Sequence, residues 1–271
     1  MQFYMRLSED HSQATIRMKH LIIGSGGMII CKFIGALNSL KEKGELDELV
    51  EISGSSSGSI LAAFYILFKG DMEKIVNIML NLNLKEHAKK NVKNFLKKYG
   101  LIDSKCIKKL ADDFGLKDVT FRELYEENPI KLHIATFDFI TNRTVYMSTD
   151  NYPDMDVSTA IMYSISVPIL FTPSDGRYLD GSCVELSPAS PFIGKNDVLE
   201  LRADIFSTVS EHKSLVEYLF TLLKCLLSNR IRYDHFKRID LLADFDIFDF
   251  GMTKEKKYEL YIEGYSQAKI K

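Results

Sequence analysis

The chain has 271 residues, with 35 Lys and Arg against 37 Asp and Glu, and 46% of it is hydrophobic. That apolar share excludes wholesale disorder, and a net charge of −2 gives no pull toward nucleic acid. The longest apolar run, 60–68, is far short of the roughly 20 residues that span a bilayer, and the first 20 residues have neither an apolar core nor a small-residue cleavage site. The expected compartment is therefore the cytoplasm. Cys31, Cys106, Cys183 and Cys225 form no CxxC pair, so free, mostly buried thiols are expected and a metal knuckle is not.

Residues 1–19 alternate only weakly and read as an N-terminal arm. Leu21-Ile22-Ile23 runs into Gly24-Ser25-Gly26-Gly27, a strand and a glycine-rich turn. Ile30, Phe33, Ile34, Leu37 and Leu40 then recur at three- and four-residue spacing, an amphipathic helix that Gly44 is placed to stop. A second short strand, 49–52, enters Ser53-Gly54-Ser55-Ser56-Ser57-Gly58, and the following run is apolar on all faces, as a buried helix is. Residues 71–116 read as helical, with breaks near Gly100 and Gly115. Strands are expected at 131–137 and 144–147, a helix at 158–166, a turn at Asp180-Gly181-Ser182, a strand at 197–201, a helix at 214–236 and a late strand at 239–250. Thr253 can cap a last helix. Strands alternating with helices predict a mostly parallel sheet covered on both faces. With no repeat and no linker, residues 20–271 read as one domain with a helical insertion near 71–125.

Three motifs could carry chemistry. Gly54-Ser55-Ser56-Ser57-Gly58 fits G-x-S-x-G between a strand and an apolar helix, where small residues allow a sharp turn that presents one serine hydroxyl. Gly24-Ser25-Gly26-Gly27 is not a dinucleotide fingerprint, because the third glycine falls on Ile29, and no G-K-[ST] follows to make a P-loop. Its amides suit an oxyanion hole; a plain βα turn is the bland alternative. Asp180-Gly181-Ser182 is by itself an ordinary turn. A Ser-Asp-His triad can be drawn with His212 or His235, though both lie in charged, helix-like surroundings, and His133 sits in an apolar strand as a core residue would.

In this order, the three motifs resemble those of the patatin-like phospholipase family. The carriers are IIGSGGMIICKFIGAL, EISGSSSGSILAAF and YLDGSCVELSP, and the similarity continues through 119–148 and 158–173 and, more loosely, into the last helix. The resemblance implies an α/β fold of three layers, a mostly parallel central sheet with helices on both faces. It also implies a lipid acyl hydrolase of phospholipase A type, working without metal or cofactor through a covalent acyl-serine. By motif position Ser56 would be the nucleophile and Asp180 its base. Gly26, Gly27 and the Ser57 amide would form the oxyanion hole, with Gly54, Gly58 and Gly181 as the motif glycines. The chain departs from the family pattern G-G-G-x-[KR]-G, since Ile29 replaces the basic residue and Ile30 the last glycine. The alternative is thus a weakly catalytic or inactive lipid-binding member. The implied partner is a phospholipid or other acyl lipid. Peripheral contact with a membrane would suit the nine Lys of residues 85–109, among which Lys89, Lys93 and Lys97 recur every four residues; a solvated helix face is the bland reading.

Overall fold

The computed structural model describes residues 17–173, 175–185, 187–205, 218–219, 233 and 235–270. Most of the expected arm, nearly all of the helix expected over 214–236, and His11, His212 and Cys225 lie outside the described residues.

A mostly parallel sheet forms the middle layer. Its centre is β1 (His20–Ile23), whose Leu21, Ile22 and Ile23 are fully buried, as a strand covered on both faces requires. β2 (Glu51–Ser55) pairs with it on one side and β8 (Val198–Ile205) on the other, both parallel. β4 (Lys131–Asp138) continues the sheet beside β2, and β9 (Lys237–Ala243) beside β8. β5 (Arg143–Met147) closes one edge antiparallel to β4, giving the order β5-β4-β2-β1-β8-β9. The short β7 (Tyr178–Asp180) also pairs antiparallel with β4.

The helix α1 (Ile30–Glu42) buries Phe33, Ile34, Leu37 and Leu40, the residues whose spacing predicts it. It lies along α9 (Lys254–Gln267), which Thr253 caps by accepting from the Lys256 N–H at 3.2 Å. The axes approach closely because a Cβ on Gly264 would fall 2.0 Å from the Lys32 carbonyl oxygen. α2 (Ser57–Leu67) is buried nearly all round, and α8 (Val157–Ser164) packs on β4. The other face of the sheet is covered by a smaller cluster of Ile22, Ala189, Phe192, Val198 and Phe236, to which the 3₁₀ turn Ser190–Phe192 contributes.

Between α2 and β4 the chain leaves the sheet. It forms α3 (Met72–Asn81), α4 (Leu84–His87), α5 (Val92–Lys98), β3 (Gly100–Ile102), α6 (Lys105–Ala111) and, after a π turn at Asp112–Leu116, α7 (Phe121–Glu127). The expectation that 71–116 is helical throughout is therefore corrected at β3. This strand pairs in parallel with β6 (Ile169–Phe171), a partner distant in sequence that no local pattern announces. A second correction concerns the late strand, which ends at Ala243 rather than 250. Beyond it, the Asp246 and Asp249 carboxylates accept from the Phe248 and Gly251 N–H groups, so these side chains build turns where a ladder was expected.

Candidate active site

Ser56 lies between the end of β2 and the start of α2, with φ 54 and ψ −127. Side chains other than glycine rarely adopt that backbone, and it persists only where the surroundings hold it. Three contacts do so. The Ser56 N–H donates to Ser164 Oγ at 2.9 Å, and the Ser164 hydroxyl donates onward to the Ala135 carbonyl of β4 at 2.7 Å. The Ser59 hydroxyl donates to the Ser56 carbonyl at 2.6 Å. The flanking glycines are needed for space: a Cβ on Gly58 would meet the Ile23 carbonyl oxygen at 2.3 Å, and one on Gly54 would meet the Gly58 carbonyl oxygen at 2.6 Å. The N-terminus of α2 is thereby pressed against the end of β1.

That contact brings the first glycine turn beside Ser56. Gly24 N–H donates to the Leu201 carbonyl at 3.0 Å, Met28 N–H to the Ile247 carbonyl at 2.8 Å, and Ile29 N–H to the Gly26 carbonyl at 3.1 Å. Gly27 has φ +55, and a Cβ there would sit 2.3 Å from the Ile247 oxygen, so this position is glycine for both reasons. Ile29, which stands where the resembled family has a basic residue, is fully buried and packs on Gly26. Lys32 does not replace that residue. Its Nζ points away from the turn, donating to the Leu242 carbonyl at 2.8 Å and pairing with Glu263 at 2.6 Å.

The position of Asp180 follows from strand register. The β2–β4 ladder ends at Ser55↔Ala135. The next residue of β4, Thr136, pairs with Val145 of β5 on one edge and with Asp180 of β7 on the other, the edge that β2 has just left. Asp180 thus takes the place in the sheet that Ser56 vacates when it turns outward. Asp180 is fully buried, its N–H donates to the Ser166 carbonyl at 3.1 Å, and its Oδ1 accepts from Ser182 N–H at 2.8 Å. Gly181 packs against Ala135, where a Cβ would meet the carbonyl oxygen at 2.5 Å. The end of α8 and the residues just after it therefore grip both residues, Ser56 through Ser164 and Asp180 through Ser166. Neither serine stands out in the sequence beyond being a small residue in an otherwise apolar helix.

Ser56 and Ser57 open onto a cavity of about 140 Å³ lined by apolar side chains, among them Ile34, Phe64, Met79, Leu84, Phe171 and Phe250. Apolar cavities of about 150 Å³ stay dry and admit a benzene-sized guest. Lys257 is the one charged residue of the lining among the described residues. It is buried, its Nζ donates to the Met79 carbonyl at 3.1 Å and to the Leu82 carbonyl, and burial pulls its ammonium below the usual lysine range. It thereby joins α9 to the end of α3. Cys31, also in the lining, has its thiol pushed up to about 12, chiefly by burial, so it stays protonated.

No described histidine lines the cavity onto which Ser56 opens. His133 is buried with Nε2 3.0 Å from Glu51 Oε2, at the far end of β2, and His235 is exposed. Among the described residues no group of three or more His, Cys, Asp or Glu side chains is arranged to hold a metal ion. No helix among them is long and apolar enough to cross a membrane.

A strand–serine–helix turn beside a glycine turn, at the ends of the strands of a mostly parallel sheet, defines an α/β protein with a serine presented on a tight turn. The particular family is settled by its sequence model. The model of the patatin-like phospholipases matches residues 21–193, and the chain belongs to that family. No curated protein sequence matches the chain. Among solved structures, VipD from Legionella pneumophila is similar over 93% of this chain and 66% of its own, with a TM-score of 0.56 and 14% identity. ExoU, in its complex with SpcU from Pseudomonas aeruginosa, is similar over 93% of this chain and 50% of its own, with a TM-score of 0.50 and 20% identity. Human GIVD cytosolic phospholipase A2, in complex with methyl γ-linolenyl fluorophosphonate, is similar over 94% and 57%, with a TM-score of 0.50 and 10% identity. The chain spans about half to two thirds of the length of these proteins. At such identities the likeness speaks for the fold.

Proposed function

We propose that this protein is a lipid acyl hydrolase that cleaves fatty-acyl esters of membrane lipids, with Ser56 as nucleophile and Asp180 as its base. The observation that carries the reading is the register: Asp180 fills the sheet position next to the point where Ser56 leaves it. In the first step the Ser56 hydroxyl attacks the ester carbonyl as its proton passes to the Asp180 carboxylate. The Gly26, Gly27 and Ser57 amides, with the positive end of α2, face the charge that develops on the carbonyl oxygen. The carbon–oxygen bond of the ester breaks and the leaving alcohol takes the proton from Asp180, leaving an acyl-serine. Water then gives a proton to Asp180 and attacks the acyl carbonyl. The fatty acid departs, and the proton returns to Ser56. A carboxylate is a weak base for an alcohol, so the step needs the burial that Asp180 has. The apolar cavity supplies a place for the first carbons of the acyl chain. These steps call on no metal or cofactor.

The test is labelling by an alkyl fluorophosphonate, located by peptide mass. Wild type should label at Ser56, and Ser56→Ala not at all. Asp180→Asn should label about 10²- to 10⁴-fold more slowly, the usual worth of a general base. A folded wild-type protein that stays unlabelled, with and without lipid vesicles, overturns this reading. It would favour a lipid-binding member of the family in which Ile29, in place of the basic residue, goes with lost catalysis.

A further inference from the structure

We infer that α5 and its flanks are a docking element for an anionic lipid surface, which sets the cavity of the proposed hydrolase against its substrate. The element is an excursion pinned at its base, where the Asn91 N–H donates to the Leu101 carbonyl at 2.7 Å. Between those two residues Phe95 alone turns inward onto the core. Val92, Leu96 and Tyr99 recur at helical spacing on the outer side and are 63%, 74% and 74% exposed, so three large apolar side chains form a stripe left open among the described residues. Tyr99 ends the helix with φ 64, its N–H donating to the Phe95 carbonyl at 3.0 Å. Glycine would fill that position without strain, yet the chain places an outward aromatic ring there. Tyrosine is the side chain that sits well where an apolar layer meets water.

Charge selects the occupant. Residues 85–109 hold nine Lys against Glu86 and Asp103, a local excess of seven positive charges in a chain whose net charge is −2. Lys98 pairs with Asp103 at 3.4 Å and Lys108 with Asp112 at 3.0 Å, while Lys89, Lys90, Lys93 and Lys97 are exposed and in no ion pair among the described residues. An apolar stripe flanked by unpaired lysines matches an interface of acyl chains beneath anionic headgroups. The position suits the cavity as well. Leu84, just before the element, lines it. Gly100, just after, packs so tightly on Phe171, another lining residue, that a Cβ would meet its backbone at 2.3 Å. One root of the docking element thus lies in the wall of the space onto which Ser56 opens, and the other packs on that wall.

The proposal rests on the hydrolase reading only for its purpose, and sedimentation with vesicles tests it without turnover. The full chain carrying Ser56→Ala is mixed with phosphatidylcholine vesicles, with and without phosphatidylserine. Binding should need phosphatidylserine and weaken as salt is raised. At about fivefold per lysine near an anionic surface, replacing Lys89, Lys90, Lys93 and Lys97 together by Gln should lower partitioning at least tenfold. Val92→Ser with Leu96→Ser should do the same through lost insertion. In the Ser56 background, both sets should hydrolyse a short water-soluble ester at the wild-type rate, which separates docking from folding and catalysis. Vesicle binding that is absent in the parent protein, or unchanged in either variant, overturns the proposal. So does a dimer in solution that Leu96→Ser splits while vesicle binding persists, because the stripe would then belong to a second copy of this chain.

Discussion

Ser164 uses one hydroxyl twice, accepting from the Ser56 N–H and donating to the Ala135 carbonyl. Its removal would leave a buried amide and a buried carbonyl short of a partner, at a cost of about 1–3 kcal/mol. Much of that cost falls on the turn that presents Ser56, because this backbone conformation is already unfavourable. Ser164→Ala should therefore fold and lower kcat for a soluble ester about tenfold with little change in KM. Ser164→Thr, which keeps the hydroxyl, should recover part of the loss, and that rescue separates positioning from a general packing defect. Equal kcat in Ser164→Ala and wild type would remove Ser164 from this role. The turns that carry Ser56 and Asp180 are legible in the sequence because tight turns demand small neighbours in a fixed pattern. Ser164 is not, since its partner at Ser56 is 108 residues away and only the fold brings them together.

At the scale of elements, legibility follows length and partner. The five parallel strands and α1, α2, α8 and α9 show in the sequence because each carries a buried run or a helical period. β3 and β6 have three residues each, too few to show any period, and their pairing spans about 70 residues. Residues 244–250 mislead in the opposite way. Asp alternates there with Ile and Phe as in a half-buried strand, but Asp246 and Asp249 bond the amides of their own turns. That segment then supplies the Ile247 carbonyl that fixes Gly27 and the Phe248 and Phe250 side chains of the cavity. The opposite wall is α3, whose Ile75, Ile78 and Met79 face the same space. Ile78 is only half-buried, so a larger side chain can be accommodated at its outer edge. Ile78→Trp should shorten the usable cavity. The rate on a twelve-carbon p-nitrophenyl ester relative to the four-carbon one should fall by about tenfold, the lower end of what one methylene is worth in a fixed apolar pocket. An unchanged ratio would place the acyl chain somewhere other than this cavity.

Across the whole molecule, the two ends of the sheet carry different chemistry. The C-terminal ends of β1 and β2 hold the glycine turn and Ser56, as ligand sites in parallel α/β sheets do. The N-terminal ends hold a cluster of titratable groups. Glu51 accepts from Lys195 at 2.8 Å and lies 3.0 Å from His133, while His20 and His133 both pack on Phe192. Burial pulls both histidines below the usual range, and for His133 it outweighs the opposing pull of Glu51. For Glu51 burial is the largest single influence and raises its carboxyl, but the hydrogen bonds and charges of Lys195 and His133 together bring it below the usual range. The sign for the histidines is then fixed. Their unfolded forms take up protons near pH 6.5 and their folded forms only at lower pH, so the stability they carry is complete above about 6.5 and is lost as pH falls through the folded value. Glu51 adds a loss of the same sign at still lower pH, below about 4.5. The urea midpoint should therefore be flat from pH 8 to about 7 and decline toward about 5.5. In His133→Gln, whose amide can still donate to Glu51, the decline over that interval should be shallower, leaving the part due to His20. If the slope of the variant equals that of wild type, His133 does not titrate in this window, and the decline there belongs to His20 or to groups outside this cluster.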